Sequence, residues 1–179
     1  MEKKGFLRQA ITEYMLMHGC DKAADLFNSE FQKAKKQNDK NKYDSNSVKS
    51  AMMAAFSAGK YEDFFQMWNR FIPFHLREND VNTEKLEFYI HIYFAIYPLH
   101  PLTKKSSVGM QKEFKKRKEW FKTFLESKGK DMSETSEFLA YYALPYISNP
   151  IDHPSFKNMF TTKWLNQITA STEKFITDN

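Results

Sequence analysis

Apolar side chains recur along this chain at spacings of three and four rather than in the strict alternation of a half-buried strand, which predicts an all-α fold. Phe6, Leu7, Ala10, Ile11, Tyr14 and Met15 fall on one stripe and predict a helix over 4–18. Gly19 supplies a left-handed stop, and a second helix starts at Asp21 and presents Ala23, Ala24, Phe27 and Phe31. The Asn-rich polar stretch from Lys35 to Ser47 reads as a linker. The expected organisation is therefore a helical hairpin over 1–34, a polar linker over 35–47 and a compact multi-helix domain over 48–179.

Within the larger part, Val48, Met52 and Phe56 mark a short helix ending near Gly59, and Phe64, Phe65, Trp68, Phe71 and Ile72 mark the next, stopped by Pro73. The segment 83–97 is apolar nearly all round, so this helix is expected to be enclosed by others. Pro98 and Pro101 end it. A basic helix over 110–127 is expected to turn Phe114, Phe121, Phe124 and Leu125 inward and Lys115, Lys116, Lys118 and Lys122 outward, with Arg117 in the same cationic cluster. A further helix should run to Pro145, Pro154 suits the first position of another, and Trp164, Leu165, Ile168 and Phe175 predict a last amphipathic one.

A hairpin of this size carries too few large apolar side chains to offset the entropy of ordering them, so it must gain burial from outside itself. A flexible linker does not force it onto its own chain. Two copies about a twofold axis would instead make a four-helix bundle in which one apolar stripe complements itself. The residues expected at that interface are Leu7, Ile11, Tyr14, Leu26, Phe27 and Phe31.

Composition narrows the chemistry. The chain has 179 residues, 41% of them hydrophobic, enough for a sizeable core. One cysteine, Cys20, excludes an intrachain disulfide and fits a reducing compartment. No apolar run reaches the ~18–20 residues of a membrane span, so a soluble cytoplasmic protein is expected. A net charge of +5 is mild, but residues 101–130 hold ten Lys/Arg against three Glu. Lys104, Lys105, Lys112, Lys115, Lys116, Lys118 and Lys122 form a candidate patch for an acidic partner such as a microtubule surface, although a plain solvated face is the commoner outcome.

Catalysis finds little footing. His18 lies two residues from Cys20, yet a nucleophile also needs an oriented base and a pocket for developing charge, which a two-helix module scarcely provides. A buried or interfacial role is expected for Cys20. The remaining histidines lack metal-ligand spacing, and Glu87 and His91 stand four apart where a di-iron pair needs three. His91 is expected to be a hydrogen-bonded core histidine. The glycines are scattered singly, leaving no phosphate-cradling loop. No enzyme activity, cofactor, metal or small-molecule substrate is expected. The aromatic strings read chiefly as core, with one partly exposed edge left over as an interface whose place the pattern does not give.

The stretch "LRQAITEYMLMHGCDKAADLFNSEF" resembles a LisH motif, a short helix pair that dimerises, through Leu7, Ile11, Tyr14, Met15, Gly19, Ala24, Phe27 and Glu30. Cys20 and Ala23 depart from it, standing where an aromatic and a threonine are usual. The strings "EDFFQMWNRFIP", "KLEFYIHIYFAIYPL" and "EFLAYYALPYISNPIDHPSFKNMF" resemble the N-terminal region of the LisH and armadillo-repeat-containing protein nine family of cilia and basal bodies. That resemblance implies a homodimerising, non-enzymatic scaffold module, cytoskeletal and located at the cilium and basal body, with other ciliary proteins as partners. Two alternatives stay open: binding of microtubules or another polyanion through the basic patch, and a ubiquitin-ligase subunit of the LisH-CTLH kind.

Overall fold

The computed structural model describes residues 2–40, 45–101 and 107–179, with side chains described for 8–33, 46–101, 108–130, 132 and 135–179. The fold is all-α, and no strand occurs among the described residues. Two compact units divide the chain, residues 1–47 and 48–179. No helix among the described residues is long and apolar enough to cross a membrane.

The first unit is the helical hairpin. Helix α1 (Glu2–Met17) ends where Gly19 adopts φ +70°, with its N–H donating to Leu16 O and that of Cys20 reaching back to Met15 O, a Schellman-type stop. Helix α2 (Asp21–Lys40) opens with Asp21, whose charge suits a helix N-terminus. It runs past the expected boundary at residue 34. Lys35–Lys40 is helical because Lys and Gln are good helix formers and no Gly or Pro interrupts them. Residues 45–47 open the next helix, which leaves 41–44 of the expected linker outside the described residues.

The second unit is built round one helix. In chain order α3 (Ser45–Ser57), α4 (Tyr61–Phe71), α5 (Phe74–Asn79) and α6 (Val81–Ile96) precede the basic α7 (Ser107–Glu126), and α8 (Ser136–Leu139) and α9 (Thr162–Asp178) follow it. Helix α6 starts at Asp80, whose carboxylate accepts from the Thr83 hydroxyl and backbone N–H. Those bonds hold its pKa below the usual carboxylate value. From Phe88 to Ile96 all but Tyr89 are buried, as an all-round apolar helix requires. One side of α6 packs Ile90, Tyr93 and Phe94 against Phe56, Phe64, Trp68, Ile168 and Ile176. The other packs Phe88, Ile92 and Ile96 against Phe121, Leu125, Phe138, Leu144 and Phe156.

The expected helix up to Pro145 is mostly 3-10. Lys128–Glu134 and Ala140–Tyr146 are 3-10 turns flanking the four-residue α8, and within the second of them Pro145 lacks the N–H that a continued α-helix needs. Pro154 does not open a helix either. It lies in a turn, and α9 begins only at Thr162, capped by Thr161 Oγ1, which accepts from Trp164 N–H at 3.2 Å.

Candidate functional site

In the hairpin, α1 and α2 pack on each other over a thin seam. Arg8 lies over the Phe31 ring at 5.3 Å, and Thr12 Oγ1 donates to Asn28 Oδ1 at 3.4 Å. Ile11, Met15, Phe27 and Phe31 are half-buried there, and Ala24 is the one buried side chain described in this unit. Apolar surface is left over: Tyr14, Leu26, Leu16 and Met17 are 65%, 63%, 48% and 84% exposed. Of the six expected interface residues, then, Tyr14 and Leu26 are open, Ile11, Phe27 and Phe31 are shared with the seam, and the Leu7 side chain lies outside the described residues. Leu16 and Met17 join the open surface beside the turn, where the helical stripe does not place them.

Cys20 is exposed, so of the two expected roles burial within its own chain does not hold, a position beside the hairpin turn having no layer above it. Its thiol donates to the His18 carbonyl at 3.7 Å, while the His18 ring lies against Tyr14. That arrangement is not a nucleophile–base pair.

The basic helix corrects one residue. Arg117 is buried at 5% exposure, not part of a cationic face. Its guanidinium donates to Phe94 O at 2.9 Å, to Gly59 O at 2.8 Å and to Glu113 Oε1 at 2.9 Å. Three of the expected patch lysines are engaged locally: Lys116 with Glu62 at 3.7 Å, Lys122 with Glu126 at 3.8 Å, and Lys118 with Ile147 O at 3.4 Å. Lys112 and Lys115 are exposed, and Lys104 and Lys105 lie outside the described residues.

A partly exposed aromatic cleft of about 470 Å³ opens where α4, α5, α6 and α7 meet. Tyr61, Phe65, Trp120 and Phe124 wall it, His91 and Glu87 line it from α6, and a neighbouring hollow of about 390 Å³ shares Glu78, Glu87, Phe124 and Lys128. Lys128 Nζ bridges Glu78 Oε1 and Glu87 Oε2, each at 3.0 Å, and Glu87 Oε2 also accepts from Trp68 Nε1 at 3.2 Å. In sequence these aromatics are indistinguishable from core. Only the meeting of four helices opens a gap between them.

His91 is buried, its Nδ1 2.8 Å from Glu87 O and its ring stacked on Phe124 at 3.7 Å and on Trp120 at 5.0 Å. Burial pushes its pKa down to about 3, and the Lys128 ammonium acts in the same direction. Between pH 6.5 and 3 the unfolded chain therefore binds a proton that the folded chain refuses. The contribution is whole above pH 6.5 and is lost as pH falls towards 3. Urea unfolding should show about 2 kcal/mol less stability at pH 5 than at pH 7 from this residue. His91→Phe should remove that share of the slope, leaving a remainder from His100, whose pKa burial also lowers.

Among the described residues no group of three His, Cys, Asp or Glu could hold a metal ion. The arrangement offers surfaces and a cleft for other molecules to dock on.

A family model described as the Armc9 CTLH-like domain matches residues 45–179. The chain belongs to that family. Armc9 CTLH-like domains are of the protein-interaction type, and here the match takes in α3 and everything after it. The LisH domain-containing protein ARMC9 of Bos taurus is 44% identical over 127 residues, 70% of this chain and 18% of that protein. The Homo sapiens protein of that name is 41% identical over 131 residues, 72% of this chain and 15% of that protein. The one from Danio rerio is 35% identical over 179 residues, 96% of this chain and 21% of that protein, so the likeness extends into the hairpin. The chain thus spans less than a quarter of the length of these ARMC9 relatives. No solved structure matches it.

Proposed function

We propose that the chain is a non-catalytic dimerising and interaction module of a ciliary or basal-body scaffold. Two hairpins pair through their leftover apolar faces, and the pairing doubles whatever binding elements each chain carries, so that weak contacts become avid ones. The observation that carries this reading is the hairpin's surface. Among the described residues of this two-helix unit only Ala24 is buried, while Tyr14, Leu16, Met17 and Leu26 are exposed, which is too little burial for a core of its own. The likeness to ARMC9 proteins supports the ciliary scaffold role.

Light scattering on the intact chain is the test. Twice the chain mass is expected at about tens of micromolar, a concentration at which a micromolar dimer is populated. Tyr14→Glu with Leu26→Glu, both at exposed positions, should give a monomer with an unchanged helical circular dichroism spectrum. A wild-type chain that runs at single mass throughout this range removes the mechanism.

A further inference from the structure

The aromatic cleft in the second unit is a local inversion of charge. The chain as a whole carries +5, yet the two adjoining hollows are lined by Glu62, Glu78, Glu84 and Glu87 against only Arg77 and Lys128. Arg77 spends its guanidinium on Ile72 O at 3.2 Å and Asn69 Oδ1 at 2.8 Å. His91, held neutral by burial, adds no positive charge at physiological pH.

Lys128 shows what such a lining holds. Its ammonium sits between Glu78 and Glu87 in the stretch of wall common to both hollows, beside Phe124. In the larger hollow the Glu62 carboxylate accepts from the Tyr61 hydroxyl at 2.9 Å, pairs with Lys116 at 3.7 Å, and stays 72% exposed on the wall that carries Phe65 and Trp120. Aromatic faces with carboxylates at their edge favour a cation over an anion or a neutral group. A volume of about 470 Å³ is within the usual range for a binding cleft. Two hollows that share a wall fit successive side chains of an extended segment better than one compact ligand.

The geometry points to this cleft as the docking site for a basic, extended segment of a partner protein, with one Lys or Arg side chain entering between Trp120 and Glu62 and a neighbouring one approaching Glu78 and Glu84. Long-range charge opposes such binding to a chain of +5, so any affinity must arise locally, at the cleft. This inference concerns the second unit alone and stands apart from pairing of the hairpins.

The test is a titration of the intact chain with acetylated, amidated hexa-arginine, and with hexaglutamate as the opposite charge, followed by calorimetry and by the Trp120 indole N–H resonance. Hexa-arginine should bind and shift that resonance, and hexaglutamate should do neither. Glu62→Gln with Glu78→Gln, both at the rim with side chains 72% and 37% exposed, should weaken binding about tenfold in a folded protein. Lys128→Met, which removes the resident cation, should tighten it several-fold. Absence of hexa-arginine binding, binding indifferent to the two Glu→Gln changes, or preference for hexaglutamate would each overturn the assignment.

Discussion

Replacing Arg117 by leucine should destabilise the second unit by about 3–5 kcal/mol, the usual effect of removing one member of a buried charged network. The guanidinium bridges three elements at once: α6 through Phe94 O, the α3–α4 turn through Gly59 O, and its own helix through Glu113. It also lies over the Tyr61 and Tyr97 rings at 5.1 and 5.5 Å. Leucine fills part of the space but leaves two buried carbonyls without that donor and breaks the Arg117–Glu113 ion pair. Arg117→Lys should recover only a part, because one ammonium on a flexible stem does not reproduce a planar fork aimed at two carbonyls. Urea midpoints for the three proteins, at constant m, are the measurement. A leucine variant within 1 kcal/mol of wild type would mean that the network contributes little.

The second large effect is expected at Gly59, whose carbonyl Arg117 engages. Gly59 has φ +67°, a conformation that costs other residues about 1–2 kcal/mol, and a Cβ there would fall within the Tyr97 ring. Tyr97 has little freedom to yield, since its hydroxyl donates to Ser57 O at 3.0 Å and its ring contacts Tyr93. Gly59→Ala should therefore cost about 3 kcal/mol or more, strain and displaced ring together. Gly19 provides the internal comparison. It has nearly the same φ, +70°, with nothing within 4 Å of the position a Cβ would take, so Gly19→Ala should incur the backbone strain alone. Equal losses at the two glycines, read as thermal midpoints, would show that the Tyr97 contact is not the cause.

The sequence conveys the architecture through its periodicity, and the reason is visible in α6. A helix apolar on every side has only one stable situation, enclosure, and it is enclosed. The left-handed stop at Gly19 and the helix end near Gly59 were legible as glycines just past the end of apolar stripes, while the left-handed φ at Gly59 is added by the structure. Arg117 is the instructive miss. A run reading Lys-Lys-Arg-Lys looks like one cationic face, yet Phe114, Arg117 and Phe121 follow one another at three and four, which places the arginine on the inward stripe. The late start of α9 was hidden because it depends on how short turns are fitted over a finished core, which local pattern does not encode. The cleft escaped for a related reason: its walls are ordinary core aromatics, and the gap between them is a property of how four helices meet. Which apolar residues the hairpin keeps for its own seam and which it leaves open depends on the crossing of α1 and α2, a quantity no stripe specifies.

Both hydrophobic clusters of the second unit draw on the same sixteen-residue helix, one along each side of it. Neither half can come apart while the other stays shut, because loosening either strips a flank of α6 and exposes its rings to water. The domain must accordingly melt in one step, and the part of α6 from Phe88 to Ile96, buried except at Tyr89, should be the last stretch to trade its amide hydrogens with solvent.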